Sequence, residues 1–456
     1  MDELQIIESN HPVVAGPSDL DVVPAGRGKV YVETYGCQMN VSDSEVMLGV
    51  LQRAGYSGAN RVEDADVVLL NTCAIREHAE DRVLGRLSQL SHLKIKNPDM
   101  VLGVCGCMAK HLSEKLLDRV PYVDLVLGPD SYRDLPRMVQ EARDEPALDM
   151  KLGRTETYVG LDPARKDGVN AWITVMRGCD KFCTFCIVPY VRGRERSVSA
   201  DEVVRQAEIA AQDGFREVTL LGQTVNSYRH EDTDFADLLS RVAEVPGVER
   251  IRFTSPHPSD FTEKLIATMA SECKVCSFIH LPLQSGSDGI LDAMKRSYTS
   301  DHFRSLVYDL RNAITGLSLS TDIIVGFPGE TEEDFDRTLD LMREVRFDSA
   351  FMFKYSAREG TVADREIPDT VSEEEKGRRL EEVIELQNWI SLEINREWVG
   401  REVEVLVEGP ARRAGQVSGK TESFKTVVFE GTADTNSFVT VRVTDCTQKT
   451  LIGRAV

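Results

Sequence analysis

Residues 171–186 read AWITVMRGCDKFCTFC: an apolar, β-branched run that stops at three cysteines, Cys179, Cys183 and Cys186. The run has the alternation and residue types of a strand, and the glycine at 178 marks its end. The CxxxCxxC spacing puts three thiolates on one short loop, a pattern that binds metal. Zinc and iron–sulfur sites usually take four protein ligands. Three on one loop leave an iron of a [4Fe–4S] cluster without cysteine, open to a small molecule that can chelate it and receive an electron. A zinc site completed by a distant His257 or His280 is the other way to fill the coordination shell.

Outward from this loop the chain alternates strand-like and helix-like segments. Downstream, EVTLLGQ (217–223), RIRFTSPHP (250–258), FIHLPLQ (278–284), LSLSTDIIVGFPGE (317–330) and SAFMFKYS (349–356) follow as strands. With the first, they make six βα units of an open α/β barrel, whose site lies at the C-terminal strand ends. Upstream, KVYVETYGC (29–37), ADVVLLNTC (65–73), MVLGVCGC (100–107) and VDLVLG (123–128) give a second parallel α/β sheet. In that segment SDSEVMLGVLQRAG is expected to be a helix capped by Ser42, with Glu45 three residues on. Residues 372–398 form a long charged helix. The last part, EVEVLVEG, KTVVFEG, FVTVRVTDC and TLIGRAV, is expected to be a small antiparallel, OB-like barrel. The expected division is a disordered tail at 1–27, an N-terminal domain at 28–145, a linker, a barrel domain at 165–398 and a small β-barrel domain at 399–456.

Cys37, Cys73 and Cys107 each sit where a strand gives way to a loop, one βα unit apart. Neighbouring parallel strands open at their C-terminal ends into one crevice. A second three-cysteine set therefore converges there, with Cys105 as a competitor for the third place. Cys273 and Cys276 form a CxxC without a second half.

The chain has 456 residues and a net charge of −21, with 10 cysteines. Its N-terminus lacks a signal pattern and no run is apolar enough to cross a membrane, so a cytoplasmic location is expected, where ten cysteines are metal ligands or buried thiols rather than disulfides. Acidity disfavours indiscriminate binding to nucleic acid. The excess acid is uneven: residues 399–456 hold 8 Lys+Arg against 7 Asp+Glu. Arg192, Arg194 and Arg196, in VRGRERS, are expected to meet RNA phosphates at the barrel mouth. Lys420, Phe424 and Lys425 are expected to read single-stranded RNA by charge and stacking.

A family resemblance joins these pieces. YGCQMN, NTCAIRE, GCMA, GCDKFCTFCIVPYVRGRERS, LLGQTVNSY, HLPLQSGS, MKRSYT and DIIVGFPGE resemble the radical S-adenosylmethionine (SAM) methylthiotransferases, and among them the MiaB family, from about residue 29 to the C-terminus. The last barrel resembles a TRAM domain, an RNA-binding module. The resemblance implies two [4Fe–4S] clusters. One, on Cys179, Cys183 and Cys186, reduces SAM to a 5′-deoxyadenosyl radical. The other, on Cys37, Cys73 and Cys107, carries sulfur that a second SAM methylates. It implies SAM contacts at Phe185, Gly222, Gln223 and Asp322, although LGQ departs from the family's GGE-like wording. The implied substrate is isopentenyladenosine beside the anticodon of a tRNA stem-loop, methylthiolated at C2. Alternatives are a ribosomal protein, threonylcarbamoyladenosine in tRNA, or a non-catalytic zinc-stabilised RNA binder. An electron-donor protein, a sulfur source and a monomeric state complete the expectation. An aromatic C–H has no acidic proton and no leaving group, so side-chain acid–base chemistry cannot open it and a cofactor must.

Overall fold

The structure, a computed structural model, describes residues 26–74, 77–165 and 168–456. The expected tail at 1–27 lies outside them except for its last two residues. The chain divides into two compact units: residues 1–167, 176–180 and 187–202 in the first, and 168–175, 181–186 and 203–456 in the second.

The first unit is built on a six-stranded parallel sheet in the order Ser57–Gly58, Lys29–Thr34, Val67–Thr72, Val101–Gly106, Leu125–Leu127 and Ala147–Asp149. The central strand VVLLNT is buried along its whole length. Its alternation sends Val67 and Leu69 into one apolar cluster and Val68 and Leu70 into another, as in a sheet covered on both faces. Two edge strands were not legible in sequence, being two and three residues long.

The helix after Lys29–Thr34 begins earlier than its sequence suggests. It spans Gln38–Arg53 with Cys37 as N-cap, and the Asn40 side chain accepts from the Cys37 backbone N–H at 3.3 Å. Ser42 is therefore inside the helix. The polar run that resembles a cap is a buried face: Asn40, Asp43 and Ser44 are fully buried. Asn71 explains part of this, since its Nδ2 donates to the Asn40 carbonyl (2.8 Å) and the Ser44 hydroxyl (2.9 Å).

The expected linker also packs. Ala147–Asp149 is the sheet's edge, and buried Tyr158 stacks on Tyr132 with centroids 5.6 Å apart. The Ala164 N–H donates to the Glu45 carbonyl at 2.9 Å, and Gly49 leaves no room for a Cβ beneath the Asp162 carbonyl. Residues 145–165 thus strap the first helix from outside.

In the second unit the six expected barrel strands form two parallel three-stranded sheets. Their orders are Arg250–Phe253, Glu217–Leu221, Asn170–Thr174 and Phe278–His280, Ser318–Val325, Ser349–Lys354. The long helix is Glu373–Arg396, capped by the Ser372 hydroxyl, which accepts from the Glu375 N–H at 3.2 Å. The last 55 or so residues close into a five-stranded barrel. Four of its pairings are antiparallel, but Thr426–Glu430 and Thr450–Ala455 pair parallel, a departure from the wholly antiparallel expectation. The extra strand, Gln416–Lys420 (QVSGK), has one apolar side chain to signal it.

Candidate metal centres

Three observations draw Cys37, Cys73 and Cys107 together in the first unit. Gly36 has φ +134°, and a Cβ on it would lie 2.6 Å from the Cβ of Cys73, so the chain entering Cys37 passes directly against Cys73. Cys107 begins the helix Cys107–Leu112 and packs with Ala74, Ile187 and Val191. Burial pushes the Cys107 thiol up, nearby Arg192 pulls it back, and the charges of Asp43 and Cys37 push it up again. Cys105 is set apart. It is wholly buried in the apolar layer beneath the sheet, where burial alone drives its thiol far above the ordinary range. The competitor is thus a core residue, and Cys107 faces the polar side.

That polar side is made by the residues expected to touch RNA, which the structure turns inward. Arg192 is 3% exposed; its Nη2 donates to Asp43 Oδ2 (2.8 Å) and its Nε to Cys107 Sγ (3.1 Å). Arg196 is buried and paired with Asp130 (2.7 Å). Arg177 completes the group, donating to Asp43 Oδ1 (2.5 Å) and lying 4.6 Å over the Tyr158 ring. Only Arg194 of the expected trio is exposed, and it pairs with Asp180. Buried phosphate ligands would have to break these ion pairs, so Arg192 and Arg196 are not an RNA surface.

Cys179 belongs to the first unit, where its N–H donates to the Gly193 carbonyl at 3.1 Å. Cys183 and Cys186 belong to the second. There a short turn links them, the Cys186 N–H donating to the Cys183 carbonyl at 3.0 Å. Thr184 between them is pinned: its N–H donates to the Met294 carbonyl and its hydroxyl to the Ala293 carbonyl. Arg296, of the MKRSYT stretch, donates to Cys183 Sγ at 3.5 Å and to the Tyr298 hydroxyl at 3.0 Å. Phe185 is half-buried against Ile290, Met294, Phe327 and Tyr355.

The other expected contacts in this unit fall as follows. Gly222 is buried just past Glu217–Leu221, and the Gln223 side-chain carbonyl is buried with no donor among the described residues. Asp322 accepts from His280 Nε2 at 3.3 Å, while His280 Nδ1 meets the Ser320 hydroxyl at 2.8 Å. The Ser259 N–H donates to His257 Nδ1 (3.3 Å), which places the ring proton on Nε2. Cys273 is exposed and Cys276 buried, so the CxxC does not present two thiols to one side.

Among the described residues, no three His, Cys, Asp or Glu side chains meet at a point that would hold a single ion. A four-iron cluster takes each thiolate on a different iron, so its ligands need not meet at a point. Within the first unit Cys37, Cys73 and Cys107, with Arg192 donating to Cys107 Sγ, fit that group, and within the second Cys183 and Cys186 offer two such thiols, with Arg296 donating to Cys183 Sγ: thiolates are its ordinary ligands, and N–H donors to sulfur are its usual outer partners.

The C-terminal barrel corrects the remaining RNA contacts. Phe424 stacks on Phe278 (4.6 Å between centroids) beneath Arg252, whose guanidinium also donates to the Thr421 and Glu422 carbonyls. Lys425 is buried and paired with Asp348 at 2.6 Å. Lys420 donates to Thr426 Oγ1, and burial pulls its ammonium down. Phe424 and Lys425 hold the barrel against the preceding sheets, and Lys420 is bound within the barrel. The charges the sequence reading passed over are Arg412 and Arg413, exposed in the turn before Gln416–Lys420 and without an ion pair among the described residues. The signal available for them was their place in a turn between strands, with no acid adjoining.

Residues 29–128 match an uncharacterized protein family (UPF0004), residues 173–342 the Radical SAM superfamily and residues 396–456 the TRAM domain. The tRNA-2-methylthio-N(6)-dimethylallyladenosine synthase of Porphyromonas gingivalis is 47% identical over 440 residues, covering 94% of this chain and 95% of the relative. The enzyme of that name from Carboxydothermus hydrogenoformans is 44% identical, covering 91% and 96%. Among solved structures, the radical SAM methyltransferase TsrM from Kitasatospora setae superposes with a TM-score of 0.54 at 14% identity, over 86% of this chain and 80% of that one. The radical SAM enzyme OxsB gives 0.52 at 14% identity, over 74% and 54%. These two likenesses are of fold.

Proposed function

We infer the function from one premise: the chain belongs to the tRNA-2-methylthio-N(6)-dimethylallyladenosine synthase family. It is a radical SAM methylthiotransferase that places a methylthio group on C2 of isopentenyladenosine beside the tRNA anticodon. The carrying observation is identity of 43–47% along almost the whole chain, in a protein that also keeps two sets of three cysteines. The non-catalytic zinc reading and the other substrates give way to it.

The finer assignments are ours. Cys179, Cys183 and Cys186 would hold the [4Fe–4S] cluster, which when bound supplies the electron that opens SAM. Cys37, Cys73 and Cys107 would hold a second cluster. Their convergence around Gly36 and Arg192, apart from Cys105, supports that count. Around SAM, the unpartnered Gln223 carbonyl suits a donor such as the SAM ammonium, and the Gly222 backbone offers close approach. Phe185 and Asp322 would bound the adenosine, the first by apolar surface, the second by a carboxylate already fixed by His280. A positioned carboxylate acceptor suits ribose hydroxyls, and an aromatic face suits adenine. The enzyme would act as a cytoplasmic monomer with an electron-donor protein and a sulfur source.

Mass spectrometry of nucleosides from cells lacking the gene tests this. The 2-methylthio group should vanish while the isopentenyl group stays. Complementation with Cys73→Ala should leave it absent, though that variant still cleaves SAM. Unchanged nucleosides in the deletion strain would remove the tRNA substrate.

A further inference from the structure

Arg192 entered as a phosphate ligand and is instead one of the most enclosed charges of the first unit. Its Nη2 is tied to Asp43 and its Nε to Cys107 Sγ, while Nη1 is buried with no acceptor among the described residues. A buried arginine donor without a partner is costly, and native structures seldom leave one so. The local charge is also unbalanced. Asp43, fully buried, is shared by Arg192 and Arg177, both nearly fully buried. Guanidiniums do not lose their protons, so two of them against one carboxylate leave one positive charge unmatched away from water. Arg177 alone would neutralise Asp43. The second arginine calls for another anion, and among the described residues the other side-chain acceptor it reaches is sulfur. A thiol is a weak acceptor; a thiolate is a strong one.

We propose that Arg192 is a positioning residue for the cluster on Cys37, Cys73 and Cys107, holding anionic sulfur there by hydrogen bonding and charge. This rests on the reading of those cysteines as ligands of a second cluster. A cluster on three thiolates is anionic overall, and hydrogen bonds to its sulfurs and nearby positive charge favour the reduced form. Arg192 therefore raises the cluster's potential and strengthens binding of an added sulfur anion. Asp43 keeps the guanidinium in place, and Arg177 keeps Asp43 charged once Arg192 is removed.

The test uses the full chain carrying Cys179→Ala, Cys183→Ala and Cys186→Ala, so that only the N-terminal set can assemble iron. Iron is counted after anaerobic reconstitution. Potentials are read by electron paramagnetic resonance at poised voltages, and hydrosulfide is titrated as the probe. The parent should hold about four irons. Arg192→Met should keep them, with a lower potential and hydrosulfide binding weakened about tenfold or more. Arg192→Lys retains charge but not the fork, and should fall between. Equal potential and equal hydrosulfide affinity in parent and Arg192→Met, at equal iron, would overturn the role of Arg192. If Arg192→Met does not fold, Arg192→Lys decides, and parent-like values there overturn it too. A parent without iron would instead remove the second cluster, and the proposal with it.

Discussion

Gly36 shows how much can depend on one missing Cβ. At its positive φ, a methyl group would meet Cys73 Cβ at 2.6 Å and Asn40 Oδ1 at 2.5 Å. Gly36→Ala forces both the backbone and the two strand ends apart, at about 1–3 kcal/mol. Reconstituted Gly36→Ala should lose roughly the iron of one cluster while the rest of the chain stays folded; full iron would show that this approach is not needed. His257 gives a pH-dependent case. Burial, with Arg296 and Lys181 nearby, pulls its imidazole down to about 2. The folded chain keeps the ring neutral, while the unfolded chain protonates it near 6.5. Below that pH the unfolded state takes up a proton that the folded state refuses. The stabilisation is present above pH 6.5 and falls by roughly 1.4 kcal/mol per pH unit beneath it. Denaturant midpoints between pH 6.5 and 5 should fall less steeply in His257→Gln, and equal slopes would count against a neutral His257.

Among elements, strands with apolar runs were legible and polar or very short ones were not. VVLLNT and AWIT show their burial in composition, whereas QVSGK becomes a strand because its neighbours complete a closed barrel around it. The cysteine sets were legible because spacing within one loop, and recurrence at successive strand ends, are properties of sequence. The start of the first helix was not. SDSE has the composition of a cap, and nothing local reveals that Asp43 meets Arg192, 149 residues away. VRGRERS failed for the same reason. Its charge was read as surface, but two of its three arginines find carboxylates on distant elements. The barrel makes the contrast testable. Arg412→Glu with Arg413→Glu should weaken binding of an anticodon stem-loop and reduce its log–log salt slope by about 1–2, without a change in melting temperature. Phe424→Ala should do the opposite, costing about 2 kcal/mol of stability, less than the ~3–5 of a fully buried phenylalanine. Equal RNA affinity in the double variant would place the phosphate contacts elsewhere.

For the molecule as a whole, a charge of −21 sets a net repulsion that an RNA partner must overcome locally. The barrel, with 8 basic against 7 acidic residues, is where that repulsion is weakest. The strap at 145–165 has a consequence of another kind, for where this chain can be divided. The match to the N-terminal family stops at residue 128, which invites a cut there. Such a cut would remove the Ala147–Asp149 edge strand, the stacked pair of Tyr132 and Tyr158, and the carbonyl that closes over Gly49. The helix uncovered is the one that starts at Cys37, so a fragment with tidy family limits would have a loosened ligand loop. Arg192, ending the helix Val188–Arg192, and Arg196, in the strand Arg196–Ser197, come later still in the chain, beyond Asn170–Thr174 of the other unit. On a ribosome, the N-terminal sheet is thus complete in sequence well before its arginines emerge, and Asp43 waits, buried in prospect but unpaired, for charges made more than a hundred residues later.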